Sequence, residues 1–288
     1  MLFSSPIPFR EALQRQAVKA ILRTVLGSDE LAMVNPALLE RGMFAARVVN
    51  AEVLQKTSDV IAAILQGQPD RAGGEPAVAM DRAAARLELK QLIEQINWKP
   101  APGDAGTIKD LSTDVRLNLI LDTNTRMAEG YGAWAQGQDD AVLDEWPAQE
   151  LVRIEDRVER RNWYERWRAA GGTVYPGQPR GLALVNGAAM EGRCVALKND
   201  PVWERVSRFG QPYPPFDFNS GVDVRDVSRD EAMELGVIDR DTRVERQGRP
   251  FNDDLQATPA VRAEGLREAL LAEGYTFDGD VMLPQAGG

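Results

Sequence analysis

Leu111-Ser-Thr-Asp-Val-Arg116-Leu-Asn-Leu-Ile-Leu121-Asp-Thr-Asn-Thr-Arg126-Met-Ala-Glu-Gly-Tyr131-Gly-Ala-Trp134 is the stretch on which the reading of this chain turns. Leu117, Ile120, Leu121, Asn124, Met127, Ala128, Tyr131 and Trp134 recur at three- and four-residue steps, the period of a helix buried along one face. Asp122 and Arg126 stand four apart outside that face as an opposite-charge pair. Ser112 is the expected N-cap, with Asp114 in the first turn, where a carboxylate complements the helix dipole. Asn124 falls inside the apolar stripe, and a buried amide without partners costs about 1–3 kcal/mol. It is therefore expected to bond a backbone loop such as the 212–222 turn, and Asn124→Leu to destabilise the protein.

Working upstream, Phe9, Leu13, Ala17, Ile21 and Val25 keep a four-residue step from Pro8 to Gly27, which predicts a first helix. Asn35-Pro36 offers an N-cap followed by proline at the first helical position. Leu39, Met43, Ala46, Val49, Val53, Val60 and Ile64 then follow at helical spacing, in a segment long enough to contain a break. Residues 66–76, with Pro69, Gly73 and Gly74, read as a loop. Ala85, Leu89, Leu92, Ile93 and Ile96 make a further helical stripe, stopped by Pro100 and Pro102.

Downstream of Gln138 glycine and proline become frequent, and the apolar runs at 150–154, 181–185 and 193–197 are short enough for strands. Ser228-Arg-Asp-Glu231 has the form of a capping box, with Gly236 as the stop. Thr258-Pro259 opens a last helix that Gly274 closes, and residues 283–288 read as a loose tail. The expected fold is α+β: a mostly helical N-terminal half, residues 1–138, followed by a smaller irregular α+β lobe with short strands, residues 139–288.

Of the 288 residues, 43% are hydrophobic and 27% charged, which supplies a core and carries no signature of disorder. The net charge of −10 argues against a surface that neutralises many phosphates. Basic residues nevertheless gather between Arg153 and Arg168, where Arg157, Arg160, Arg161, Arg166 and Arg168 alternate with Trp163, Tyr164 and Trp167. That cluster suits an acidic partner or a local contact with DNA. No apolar run approaches the roughly 20 residues of a membrane-spanning helix. The first ten residues lack the basic start and apolar run of a targeting segment, so the chain is expected to be made in the cytoplasm.

The chain has no histidine and a single cysteine, Cys194. That removes histidine-based triads and general bases, His-ligated metals and every multi-cysteine site. Acidic neighbours such as Asp139-Asp140, Asp239/Asp241 and Asp253-Asp254 are expected by chance among 44 acidic residues, and none sits in a recognisable strand-and-turn frame for Mg²⁺ chemistry. No catalytic residue, metal or cofactor is assigned.

The run Arg116 to Arg126, followed by Gly132-Ala-Trp134, resembles the segment that opens the conserved region of phage Mu-type minor head (head morphogenesis) proteins. Trp146, Glu150-Leu-Val-Arg153, Trp163 and Trp167 continue the resemblance in the same order. So do Asn199-Asp-Pro-Val-Trp203 and Pro212-Tyr-Pro-Pro-Phe-Asp-Phe-Asn-Ser-Gly-Val-Asp-Val-Arg-Asp-Val-Ser228. Arg41 to Leu54 is similar, more loosely, to the helical N-terminal half of that family, so about residues 40–230 are covered. Where the family carries a Cys-x-Cys-like turn after its Pro-Pro pair, this chain has Ser220 and Val222 or Asp223, and no thiol or metal role is carried over.

The resemblance implies a non-catalytic virion component. Its expected partners are the portal protein and the major capsid or scaffold protein, with a local contact to packaged DNA, no membrane, and oligomers only within the particle. Arg116, Asp122, Thr123, Asn124, Arg126, Trp134, Trp146, Trp203, Pro214, Pro215 and Asn219 are its structural motif residues, with Trp134, Trp146 and Trp203 expected in the core. Arg160, Arg161, Trp163, Trp167, Arg168, Tyr213, Phe216 and Phe218 are the expected partner-binding residues. They are set against two other readings: that residues 212–221 fold back to cover their own lobe, which is preferred for that block, and that residues 153–168 form a solvated helix face. The rival readings are a carboxylate-based metal-dependent hydrolase or transferase effector, and an adaptor of the head–tail junction.

Overall fold

The computed structural model describes residues 10–66, 80–157, 161–182, 184, 192–248 and 262–285. It is an α+β protein that divides into two compact units, Met1–Glu129 with Arg249–Gly288, and Gly130–Gly248.

In the first unit α1 (Arg10–Ala17), α4 (Ala51–Gln66), α5 (Arg82–Gln95) and the N-terminal part of α6 (Asp114–Gln136) enclose one core, with Ile61, Leu89 and Leu121 fully buried. Asp81 caps α5 by accepting from the Ala84 amide at 2.7 Å, and Asn50 caps α4 through the Val53 amide at 3.0 Å. Arg82 meets Asp122 at 2.9 Å and Lys90 meets Asp114 at 2.6 Å, lacing α5 to α6. These pairs are a third or more exposed and screened by solvent, so burial holds the helices together.

The expected first helix stops at Ala17. Ala20–Ile21 (β1) pairs in parallel with Gly42–Met43 (β3), and Arg23–Thr24 (β2) pairs in parallel with Val281–Leu283 (β9). Leu22 and Leu26 are thereby buried in a second cluster with Leu38, Leu266, Leu270 and Met282. Tertiary pairing has overridden the four-residue step. The segment after Asn35 is broken as well. Asn35 does cap α3 (Pro36–Leu39), accepting from the Ala37 amide at 3.0 Å, but β3 and a left-handed Arg47 (φ 61°) intervene before α4. Of the expected tail, Leu283 pairs with Thr276 of β8 (Thr276–Asp278) in the three-stranded sheet β2-β9-β8. Gln285 Nε2 donates to the Glu273 carbonyl at 2.8 Å, while residues 286–288 lie outside the described residues. Just before the tail, the Met282 carbonyl of β9 accepts from Thr24 Oγ1 at 3.1 Å. This pairing assigns the C-terminal helix α11 (Arg262–Ala272) and hairpin to the first unit rather than to the second lobe in which the sequence placed them. The expected 66–76 loop beyond Gln66, and the Thr258-Pro259 helix start, lie outside the described residues.

Helix α6 buries Leu117, Ile120, Leu121, Ala128, Tyr131 and Trp134 as its period requires, together with Thr123 and Thr125. Its cap is Thr113, whose Oγ1 accepts from the Arg116 amide at 3.3 Å. Ser112 instead donates to Asp110, which also accepts from the Gly106 amide at 2.8 Å. Arg116 reaches across its unit to donate to the Ala46 carbonyl at 2.8 Å, and desolvation lowers its pKa from the ordinary arginine value. Asn124 is only half-buried, and its Nδ2 donates to the Ile120 carbonyl of its own helix at 2.9 Å. The amide is therefore satisfied locally, within its own helix. The structural reason for expecting Asn124→Leu to be costly falls away.

The second unit is built on an antiparallel sheet in the order β5-β6-β4-β7, comprising Val174–Tyr175, Arg193–Leu197, Ala148–Arg153 and Val222–Val227. Every residue of β4 is buried. One face of the sheet carries Leu151, Cys194 and Ala196 against α8 (Trp163–Ala169) and α9 (Val202–Val206). The other carries Ala148, Val195 and Val227 against Ala232 of α10 (Arg229–Glu234) and Ile238. The 193–197 strand and the Ser228 cap, which accepts from the Glu231 amide at 3.3 Å, are as read from sequence, while the strand read at 150–154 runs from Ala148 to Arg153. In the 181–185 run Gly181 and Leu182 bridge to Arg153, and residues 183 and 185 lie outside the described residues.

Two glycines give opposite expectations. A Cβ at Gly130 would lie 2.0 Å from the Pro214 carbonyl oxygen, whereas one at Gly265 of α11 meets nothing within 4 Å. Gly130→Ala should cost about 2–3 kcal/mol and Gly265→Ala should stabilise by about 0.5–1 kcal/mol; thermal melting of both variants checks the pair. Asp110 yields a pH test. The Ser112 hydroxyl first, and the Gly106 amide second, hold its carboxyl below the usual aspartate value. Its stabilising contribution is complete above that usual value of about 3.9 and is lost as pH falls through the lowered one. The stability gap between the wild type and Asp110→Asn should therefore be flat near neutrality and shrink below about pH 4, as denaturant titrations across pH would read.

Candidate partner-binding surface

The residues read from sequence as a partner-binding cluster divide between core and surface. Asn162 caps α8 by accepting from the Glu165 amide at 3.2 Å, and the helix then turns Trp163, Tyr164 and Trp167 inward. Trp163 and Trp167 are fully buried. Trp167 meets Trp203 edge-on at 4.9 Å, and Trp203 stacks on Phe216 at 5.8 Å. The two indole N–H groups are satisfied by the carbonyls of Thr173 and Leu197, both at 2.8 Å. Gly172 is required beside this stack, because a Cβ there would lie 2.3 Å from the Trp167 ring.

Tyr213 is likewise interior. Its ring lies 5.8 Å from Tyr131 and 5.9 Å from Trp134, both in the C-terminal part of α6. Trp163, Trp167, Tyr213 and Phe216 thus build the unit and are not surface contacts. Large aromatic rings bury so much apolar area that they go to the core when a core is within reach. Trp203 is interior as expected, while Trp146, at 41% exposure, is not; it is the residue at which Asp140–Glu145 (α7) ends, and its chain has left the helix. The Pro214–Pro215 peptide is cis, and Asn219 is left-handed at φ 47°.

What faces outward is smaller and includes residues the sequence reading did not single out. Asp217, with a side chain only 8% exposed, accepts from Arg166 Nη1 at 2.7 Å and lies 3.4 Å from Arg161 Nε. Next to it the half-buried Phe218 packs edge-on against Phe209 at 4.9 Å, and the Arg208 guanidinium lies 5.8 Å over the Phe218 ring. The Arg208 amide donates to the Phe216 carbonyl at 2.8 Å, which ties the 207–210 turn to the block. Arg168 is exposed and sits 6.0 Å over Tyr164. Arg160 lies outside the described residues. Arg208 and Phe209 follow a short helix without any period, so no sequence signal marked them.

A second polar feature lies at the sheet. Glu150 on β4 is fully buried and takes Arg193 Nη2 at 2.5 Å; Arg193 also reaches Glu231 at 2.7 Å, and Arg180 meets the same Glu231 oxygen at 2.5 Å. The Glu150 carboxylate raises the Arg193 pKa further above its ordinary value. Four charges of balanced sign, held by β-strands and the cap of α10, make a structural clamp. Cys194 on the adjoining strand is buried, and desolvation pushes its thiol up to about 12, so it stays protonated at neutral pH. Among the described residues no group of three or more His, Cys, Asp or Glu side chains is placed to hold a metal ion. Nor is any helix among them long and apolar enough to cross a membrane. No protein-family model, curated protein or solved structure matches the chain.

The clamp makes its own test. Arg193→Met leaves Glu150 buried without its counter-ion and should cost about 3–5 kcal/mol, while Arg193→Met combined with Glu150→Leu should recover most of the loss. Urea denaturation of the two variants measures the difference.

Proposed function

We propose that this chain is a phage minor head protein, a non-catalytic component that joins the capsid during assembly by docking on the portal and the capsid interior. The observation that carries the reading is where its two most specific motif blocks meet. The end of the 116–134 run and the start of the 212–228 run lie against each other through Gly130, Pro214 and the Tyr131–Trp134–Tyr213 ring cluster. Residues that carry the resemblance are thus committed to shape. Arg116 holds a backbone carbonyl, Asp122 holds Arg82, and Trp203 stacks in the core. A scaffold whose value is the surface it presents needs such residues, whereas a reacting centre needs polar groups converging on an open cleft.

Co-expression with the portal and major capsid proteins of the same genome, followed by gradient sedimentation, tests the reading. The chain is expected to sediment with assembled heads. Heads that form normally while the chain remains entirely in the slow-sedimenting fraction would contradict it.

A further inference from the structure

The outward part of the second unit has a composition that neither core packing nor the sheet requires. Two guanidinium groups, Arg161 and Arg166, converge on one carboxylate oxygen of Asp217. The acid is sunk, at 8% side-chain exposure, while the cations stand at 44% and 28%. The surface therefore shows positive charge to solvent over a buried negative one, in a chain whose net charge is −10. Immediately beside it two half-exposed rings, Phe209 and Phe218, pack edge-on at 4.9 Å, with Arg208 over the Phe218 face. A fixed aromatic ledge flanked by arginines is the composition found at the centres of protein interfaces.

We infer that Arg161, Arg166, Phe209 and Phe218 form a docking site for an acidic protein segment, in which carboxylates meet the guanidinium groups and an apolar side chain covers the phenylalanine pair. Guanidinium groups pair with carboxylates through forked, charge-assisted hydrogen bonds. A nucleic acid fits the site less well. Bases stack on open, parallel ring faces, whereas these rings meet at 89° and one already lies under Arg208. The site rests on the head-protein reading only for the identity of the protein that carries the segment; the binding itself is separate.

The test uses the full-length chain and three fluorescein-labelled probes: a short peptide alternating glutamate with leucine, the same peptide with glutamine for glutamate, and an oligothymidylate of equal charge. Fluorescence anisotropy should show the acidic peptide bound most tightly, with affinity falling as salt rises. Arg161→Gln and Phe218→Ser should each weaken it by about tenfold or more without changing the melting temperature. Arg161→Gln alters a side chain nearly half exposed, so it reports even if the phenylalanine variant misfolds. Equal binding of the glutamine peptide, tighter binding of the oligothymidylate, or unchanged affinity in Arg161→Gln would each overturn the inference. Incorporation of the same variants into heads is scored separately: absent peptide binding with normal incorporation removes the docking site and leaves the head role standing.

Discussion

One close approach organises the second unit: the Pro214 carbonyl oxygen occupies the space where any residue other than glycine at position 130 would place its Cβ. Because helix and loop backbones touch there, Tyr213 can enter between Tyr131 and Trp134. The chain beyond then lays Phe216 on Trp203 and sets Asp217 under Arg161 and Arg166. Tyr213, Phe216 and Asp217 lie within five consecutive residues, so the placement of each constrains the next. Asp217 stays sunk beneath the two guanidinium groups, and the half-buried Phe218 is the residue that reaches the surface. The outward arrangement of charge and aromatic rings is thus a consequence of interior packing.

The same economy governs the sheet. Its central strand is buried along its whole length, yet it contains Glu150 and Arg153. Glu150 is tolerated because Arg193 comes from the neighbouring strand, and Arg153 because its guanidinium reaches the carbonyls of Ser220 and Leu184, both at 3.4 Å. Buried charges of this kind add little net stability, but removing one member is costly, so they hold strands and loops in one register. The glutamate of the Ser228 capping box serves the same network, since its side chain pairs with Arg193 and Arg180.

Much of this was legible in the sequence where a period or a cap was strong. The α+β class, the long helix and its buried stripe, the caps at Asn35 and Ser228, the strand at 193–197 and the greater part of the one read at 150–154 all follow from local pattern. What was not legible depended on partners far along the chain. Ile21 sits in a strand because Gly42–Met43 offers a parallel neighbour, and the C-terminal hairpin joins the first unit because β9 finds β2 across more than 250 residues. Asn124 was expected to reach a loop, yet its own helix already supplied an acceptor. At the candidate surface the sequence marked the basic-aromatic neighbourhood but could not separate rings that sink from rings that stay. Trp163 and Phe216 differ from Phe218 and Phe209 only in what the fold brings against them.

The central claim is that the motif residues of helix and loop are coupled to each other and so fix the shape the protein presents. A double-mutant cycle on Tyr131→Leu and Tyr213→Leu, read by equilibrium unfolding, measures that coupling most directly. Edge-on ring contact within a packed cluster predicts a coupling of about 0.5–1.5 kcal/mol. Additive losses, with a coupling indistinguishable from zero, would mean that the two blocks merely lie near each other, and would contradict the account.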